Sequence, residues 1–136
     1  MIPVQDLCIG NWVYDGDRTQ FPMFIRAIGE DYVYLDFESN EGDLWESKPE
    51  ELQGIQITID ILTKIGFRQV AGSRYGVYGD NFSIEVVYWS NNHIVTEVRG
   101  LYPTVYDRCI HHKIYYLHEL QNLFWNITKQ QLKIEL

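Results

Sequence analysis

Three features of the sequence predict an α+β protein built from antiparallel strands. Strand-like runs follow one another at short intervals, separated by turn-forming residues. One segment near the C-terminus sustains a helical period. Strands and helices nowhere alternate in the regular way that builds a parallel sheet. The expected architecture is an SH3-like N-terminal antiparallel meander over residues 1–48. A second antiparallel meander over 49–136 carries one short helix, with the C-terminal helix packed on it. The 136 residues fit a single domain large enough to bury most of its apolar side chains.

The elements are justified in order. Leu7-Cys8-Ile9 and Trp12-Val-Tyr14 read as short strands parted by Gly10-Asn11, and Asp15-Gly-Asp-Arg18 is a turn signal. Phe21–Ile28 follows, stopped by Gly29-Glu-Asp31. In Tyr32–Phe37, Val33, Leu35 and Phe37 alternate with Tyr32, Tyr34 and Asp36, the period of a half-buried strand. Ser39–Asp43 is another turn, Leu44–Ser47 a short strand, and Pro49 can start one helical turn. Ile57–Phe67 reads as a short helix capped by Thr58 and stopped by Gly66.

Strands then return at Phe67–Val70, Arg74–Tyr78 and Phe82–Trp89. Ser90-Asn-Asn92 is a hairpin turn leading into His93–Arg99. An irregular segment over Thr104–His112 delivers the chain to the helix. The helical period covers Lys113–Ile127: Tyr116, Leu117, Leu120, Leu123, Phe124 and Ile127 fall within an arc of roughly 120°, the width of a core-facing stripe. The opposite face carries Tyr115, His118, Asn122, Trp125 and Lys129. Thr128–Gln131 reads as a cap and turn.

Apolar residues make up 46% of the chain, charged residues 22% and aromatics 15%, a folded composition rich in Tyr and Trp. The start has neither the basic nor the apolar region of a secretory signal, and no apolar run reaches the ~20 residues that span a bilayer. A cytoplasmic protein is expected, with Cys8 and Cys109 as buried free thiols. The glycosylation patterns at Asn81 and Asn126 are then chance matches.

The net charge of −8 is uneven: residues 1–60 hold 13 Asp/Glu against 3 Lys/Arg, residues 61–136 hold 6 against 8. That balance argues against nucleic-acid binding, which needs a basic footprint. It admits a basic partner or mimicry of a phosphate surface, but solvated acidic loops that keep a small protein soluble and monomeric are the stronger reading.

No segment announces catalysis. Cys109, His111, His112 and His118 form the one metal-like cluster, but they lack the paired spacing of a zinc site and read as scattered surface or core residues. Gly72–Gly79 is glycine-rich between strands, without the helix N-terminus or lysine of a phosphate loop. Glu30–Glu51 holds nine carboxylates with no ordered calcium-loop spacing. Neither cofactor nor metal is expected. The aromatics carry more weight. Trp and Tyr fill cores and sheet rims, and they are also the residues favoured at interface hot spots. Trp125 on the outer helical face marks a partner-binding patch if exposed, and packing between the two halves if buried.

Ile9-Gly-Asn-Trp-Val-Tyr14, Ile65-Gly66-Phe67 and Tyr116-Leu-His-Glu-Leu-Gln-Asn-Leu-Phe124 together resemble a family of small uncharacterised proteins from Bacteroidetes bacteria and their phages. The resemblance implies a shared α+β fold and a mobile-element origin. No activity and no catalytic residue come with it. The Tyr14–Phe21 turn and the Leu101–Lys113 approach are longer here than is usual in that family, which leaves room for a function carried by an insertion.

The leading functional expectation is a non-catalytic interaction or adaptor protein, such as an inhibitor or regulator of a host protein, with Tyr115, His118, Asn122, Trp125 and Lys129 as the candidate surface. One rival is a small enzyme or ligand-binding domain with a pocket between its halves. The other is an acidic nucleic-acid mimic, which requires the carboxylates of Asp15–Glu51 to form one ridge.

Overall fold

The computed structural model describes residues 2–16, 21–79, 83–89, 93–99 and 112–136. The strands form two all-antiparallel sheets, accompanied by a short helix and a C-terminal one, so the α+β class is as expected. The chain divides into two units, Met1–Ile55 with Leu117–Asn122, and Gln56–Tyr116 with Leu123–Leu136. No helix among the described residues is long and apolar enough to cross a membrane.

In the first unit β1 (Trp12–Tyr14), β2 (Met23–Ile28), β3 (Val33–Asp36), β4 (Trp45–Ser47) and β5 (Gln53–Gly54) stand in the order β4-β3-β2-β1-β5. The unit runs past residue 48 because β5 returns, after a 3-10 turn over Pro49–Glu51, to pair with β1. Alternation decides the core. Val33 and Leu35 are fully buried while Tyr34 and Asp36 stay half-buried, as the period-two pattern predicts. They join Ile2, Leu7, Val13, Met23, Ile25 and Leu52, with Phe37 packed against the cluster.

The strand expected at Leu7–Ile9 is absent. A 3-10 turn over Val4–Asp6 leads into a tight turn instead: the Asn11 side chain accepts a hydrogen bond from Cys8 N–H at 2.8 Å, and Gly10 takes a φ of 93°. A short polar side chain that captures a nearby backbone donor competes with ladder pairing, and here it wins. Cys8 is consequently exposed rather than buried.

The second unit opens with Ile57 N–H donating to Tyr115 O and a bridge between Gln56 and Tyr116. In α1 (Ile59–Lys64), Thr58 Oγ1 accepts from Ile61 N–H at 3.2 Å. Gly66, at φ 96°, stops the helix, and Phe67 N–H closes back onto Leu62 O at 2.9 Å with its ring buried. The start is two residues later than predicted; the cap and the stop are where the sequence places them. Strands β6 (Arg68–Ala71), β7 (Arg74–Tyr78), β8 (Ser83–Trp89), β9 (His93–Arg99) and β10 (His112–Ile114) pair in the order β10-β9-β8-β7-β6. The Ser90–Asn92 turn, the Gly100–His111 segment and Cys109 lie outside the described residues.

Helix α2 (Leu117–Thr128) begins four residues later than the helical period implied. His112–Ile114 is extended along β9, with Ile114 opposite Ile94 and fully buried. In this stretch β-branched and aromatic residues meet a free sheet edge, and ladder pairing outweighs local helical spacing. Tyr116, expected in the buried stripe, is extended and exposed as a result. Leu117, Leu120 and Phe124 are buried as expected, while Leu123 and Ile127 are half-buried. The helix ends where predicted: Thr128 Oγ1 donates to Phe124 O and accepts from Gln130 N–H, and Lys129 sits at φ 58° with its N–H on Trp125 O.

Candidate interaction surfaces

The helical face read from the sequence as one patch is divided in the structure. His118 is 3% exposed, not solvent-facing. Burial pushes its imidazole down to a pKa of about 4, against a smaller opposing effect from the Asp6 carboxylate, so the ring is neutral at physiological pH. Asn122 is also turned to internal use: its Oδ1 accepts from Asn11 Nδ2 at 2.8 Å and its Nδ2 donates to Asp6 O at 2.9 Å. Gln121 adds two more bonds to the same segment, accepting from Trp12 N–H and donating to Gly10 O. Four amide hydrogen bonds thus bind this half of α2 to residues 6–12 of the first unit. Tyr115 is exposed but lies before the helix, its ring tilted against Tyr116 at 6.4 Å. Trp125, 47% exposed, remains on the helix, and Lys129, also exposed, lies just past its end.

A second aromatic surface lies in the first unit, and its organiser is a buried acid. Asn11, Val13 and Asp15 alternate inward along β1 and its flanks, which brings the Asp15 carboxylate to a nearly complete burial. Its Oδ1 accepts from Ser47 Oγ and its Oδ2 from Trp45 Nε1. A carboxylate out of water is tolerated only where its oxygens are satisfied, and each oxygen here has a donor. Trp45 is nevertheless 40% exposed, an indole held at the surface by its nitrogen.

Neighbouring positions extend this surface. Trp45 stands opposite Leu35 on β3, and Phe37, two residues beyond Leu35 and just past the end of the strand, packs against the core cluster on that side. Phe21, 52% exposed, meets Phe37 edge-on at 5.5 Å and 90°. Between β3 and β4 the turn is built around Asn40, whose side chain donates to Asp36 Oδ1 at 2.9 Å and Asp43 O at 3.2 Å, and accepts from Gly42 N–H at 3.0 Å. It presents Glu38, Glu41 and Asp43 to solvent. Sequence reasoning missed the pairing of Asp15 with Trp45. The period-two pattern, carried one residue beyond Tyr14, does place Asp15 on the inner side; the donor from β4 could be seen only once β4 was paired.

The other face of the same sheet is occupied by contacts within it. The Arg26 guanidinium lies 5.0 Å from the Phe24 ring centroid and pairs with Asp36 at 2.8 Å, and Trp12 tilts against Phe24 at 5.3 Å. The Arg26 hydrogen bond, aided by Asn40, holds the Asp36 carboxyl below the usual carboxylate range. Among the described residues no group of three or more His, Cys, Asp or Glu is placed to hold a metal ion. Cys109 and His111 are outside those residues. Compared with known family models, with curated proteins and with solved structures, the chain matches none.

Proposed function

We propose that the protein is a non-catalytic interaction protein that docks another protein through exposed aromatic anchors. The observation that carries this reading is Trp45, exposed yet fixed through its indole nitrogen on the buried Asp15 carboxylate. Binding to a side chain already held in one rotamer costs less entropy than binding to a mobile one, and tryptophan heads the residues enriched at interface hot spots. Trp125 on α2 supplies a second exposed indole.

The connectivity of the first unit, a four-strand meander whose fifth strand returns to the first after a 3-10 turn, supports reading it as a small SH3-like binding module. The resemblance to small phage-borne proteins makes a regulator or inhibitor of a host protein the specific form of the reading. An exposed free thiol at Cys8 suits the reducing cytoplasm. The acidic-mimic reading is not adopted. Asp15 is buried, Asp36 is paired, and the Glu30-Asp31 and Glu38–Asp43 turns lie at opposite ends of β3.

The test is capture of host proteins on the immobilised full-length chain, repeated with Trp45→Ala and Trp125→Ala variants whose folding is checked by circular dichroism. A protein retained by the parent and lost from a folded tryptophan variant supports docking. If nothing is retained, or retention falls only when the variant unfolds, the reading is wrong.

A further inference from the structure

We infer that the Phe21–Phe37–Trp45 strip, together with the acidic turn beside it, is a docking site for an extended, lysine- or arginine-bearing segment of a partner protein. The inference rests on the interaction reading above and specifies the partner's chemistry.

Three observations meet at one end of the first sheet. The strip is apolar and accessible: Phe21, Leu44 and Trp45 are all exposed, over a Phe37 that packs on the core. The charge beside it has one sign. Residues 37–47 contain Glu38, Glu41, Asp43 and Glu46, all exposed, and no Lys or Arg. The Asn40 bonds brace the backbone of that turn, so less of it has to be ordered by the ligand. Finally, β4 is the edge of its sheet, paired with β3 alone among the described strands.

An edge strand is a template for an added strand, whose main-chain groups supply affinity and whose alternate side chains supply choice. A strand laid along β4 turns one set of side chains toward the aromatic strip and the other toward the face that carries Glu46. Aliphatic residues fit the first set. Cationic residues fit the second, and at either end of the added strand they reach the Glu38–Asp43 carboxylates or stack over the exposed indole. An acidic or phosphorylated segment meets four like charges and is rejected. Charge complementarity therefore selects a basic segment over a nucleic acid.

The test uses the full-length protein and two fluorescent heptapeptides, one alternating lysine with valine and one alternating glutamate with valine. The basic peptide is expected to bind and quench tryptophan fluorescence, weakening about tenfold or more between about 50 and 500 mM salt. The acidic peptide is expected not to bind. Replacing Glu38, Glu41 and Asp43 together by their amides should weaken the basic peptide at least about fivefold. These side chains are exposed, so their change should leave the fold intact and this variant stays informative even if Trp45→Ala unfolds. The matched control, Glu30→Gln with Asp31→Asn at the far end of β3, should change binding by less than about twofold.

Equal weakening in both charge variants would show diffuse attraction to an acidic protein and overturn the site. So would equal binding of the two peptides, or concentration-dependent dimerisation abolished by Trp45→Ala, which would make a second copy the occupant. If host capture depends on Trp45 while the basic peptide does not bind, the partner chemistry is wrong and the interaction reading stands.

Discussion

Gln121 stands in for a strand beside Trp12. Its Oε1 accepts from Trp12 N–H at 2.8 Å, and its Nε2 donates to Gly10 O at 2.9 Å. A donor and an acceptor two residues apart on one strand are what a neighbouring strand would engage. Strand β5 pairs with β1 only at Val13 and Tyr14, so the side-chain amide satisfies the part of the edge that β5 does not reach. Replacing Gln121 by Ala leaves both backbone groups without that partner in a partly buried setting, and an unmet group of this kind costs about 1–3 kcal/mol. Urea unfolding of Gln121→Ala should show a loss in that range. Gln121→Glu, which keeps the acceptor for Trp12 but presents a carboxylate to Gly10 O, should be no better. A midpoint unchanged by the alanine would mean that water replaces the amide.

His118 makes stability depend on pH. Its folded pKa of about 4 lies below the ordinary value of 6.5, because burial disfavours the charged ring. Between those values the unfolded chain binds more protons than the folded one. The contribution is therefore complete above pH 6.5, is lost as pH falls, and levels off below about 4. A shift of this size corresponds to an upper bound of about 3 kcal/mol at 1.36 kcal/mol per unit. Unfolding free energies measured across that window should fall with acid, and His118→Gln should flatten the slope there. An unaltered slope would show that carboxylates alone set it.

Most of the strands, the cap and stop of α1 and the end of α2 were legible because local chemistry and burial agree there. The alternation of Val33 and Leu35 with Tyr34 and Asp36, and the Thr58 and Gly66 signals, needed no partner to be read. Apart from Leu7–Ile9, where the nearby Asn11 side chain decides, the misses share a cause: the deciding contact was distant in sequence. Ile114 looks helical by spacing and becomes a strand because β9 lies beside it. His118 and Asn122 look outward on an isolated helix, yet His118 is buried by the fold and Asn122 is bonded to Asp6 and Asn11. The same applies to Asp15, whose donor comes from β4. A helical wheel reports one element's faces and says nothing of how many neighbours cover them.

Asp15 should prove to be a support for Trp45 rather than a catalytic acid. Asp15→Ala leaves the Trp45 Nε1–H and the buried Ser47 hydroxyl without their shared acceptor, at a cost of about 2–4 kcal/mol. Asp15→Asn keeps the size but turns an NH2 group toward one of the two donors, and should lose somewhat less. Tryptophan emission offers a local readout: freed from its anchor, the half-exposed indole should become more accessible to iodide quenching in both variants. Stability lost with no change in quenching would mean that Phe37 and Leu35, rather than the carboxylate, fix the indole.

In the second unit a glycine makes room for a tyrosine. Gly76 faces Glu85 across the β7–β8 ladder, and Tyr78, on the same face of β7, donates from its hydroxyl to Glu85 Oε1 at 2.9 Å. A Cβ at Gly76 would stand 2.7 Å from that hydroxyl oxygen and 3.0 Å from Cζ. The phenol is held protonated above its usual range, first by the hydrogen bond to Glu85 and then by desolvation. Gly76→Ala should therefore move the ring off Glu85 and return the Tyr78 pKa toward 10, its ordinary value. A pH titration of ultraviolet phenolate absorbance, with Tyr78→Phe subtracted to isolate this ring, checks the shift.

Gly16 is required by a backbone contact, not by a flexible side chain. It follows Asp15 at φ 51°, in the left-handed region, and a Cβ there would overlap the carbonyl oxygen of Glu51 in the 3-10 turn before β5. Neither the dihedral nor the carbonyl can adjust alone, because the turn that places Glu51 also sets the register of β5 on β1. Gly16→Ala should cost at least about 1–3 kcal/mol, through the strained φ and the clash together. Gly72→Ala shares the positive φ, at 52°, but meets nothing within 4 Å, so it isolates the dihedral contribution. Chemical unfolding of the two variants should rank Gly16→Ala as the more damaging. Equal losses would mean that the 3-10 turn yields to the new methyl group, and that β5 is held to β1 less firmly than its pairing implies.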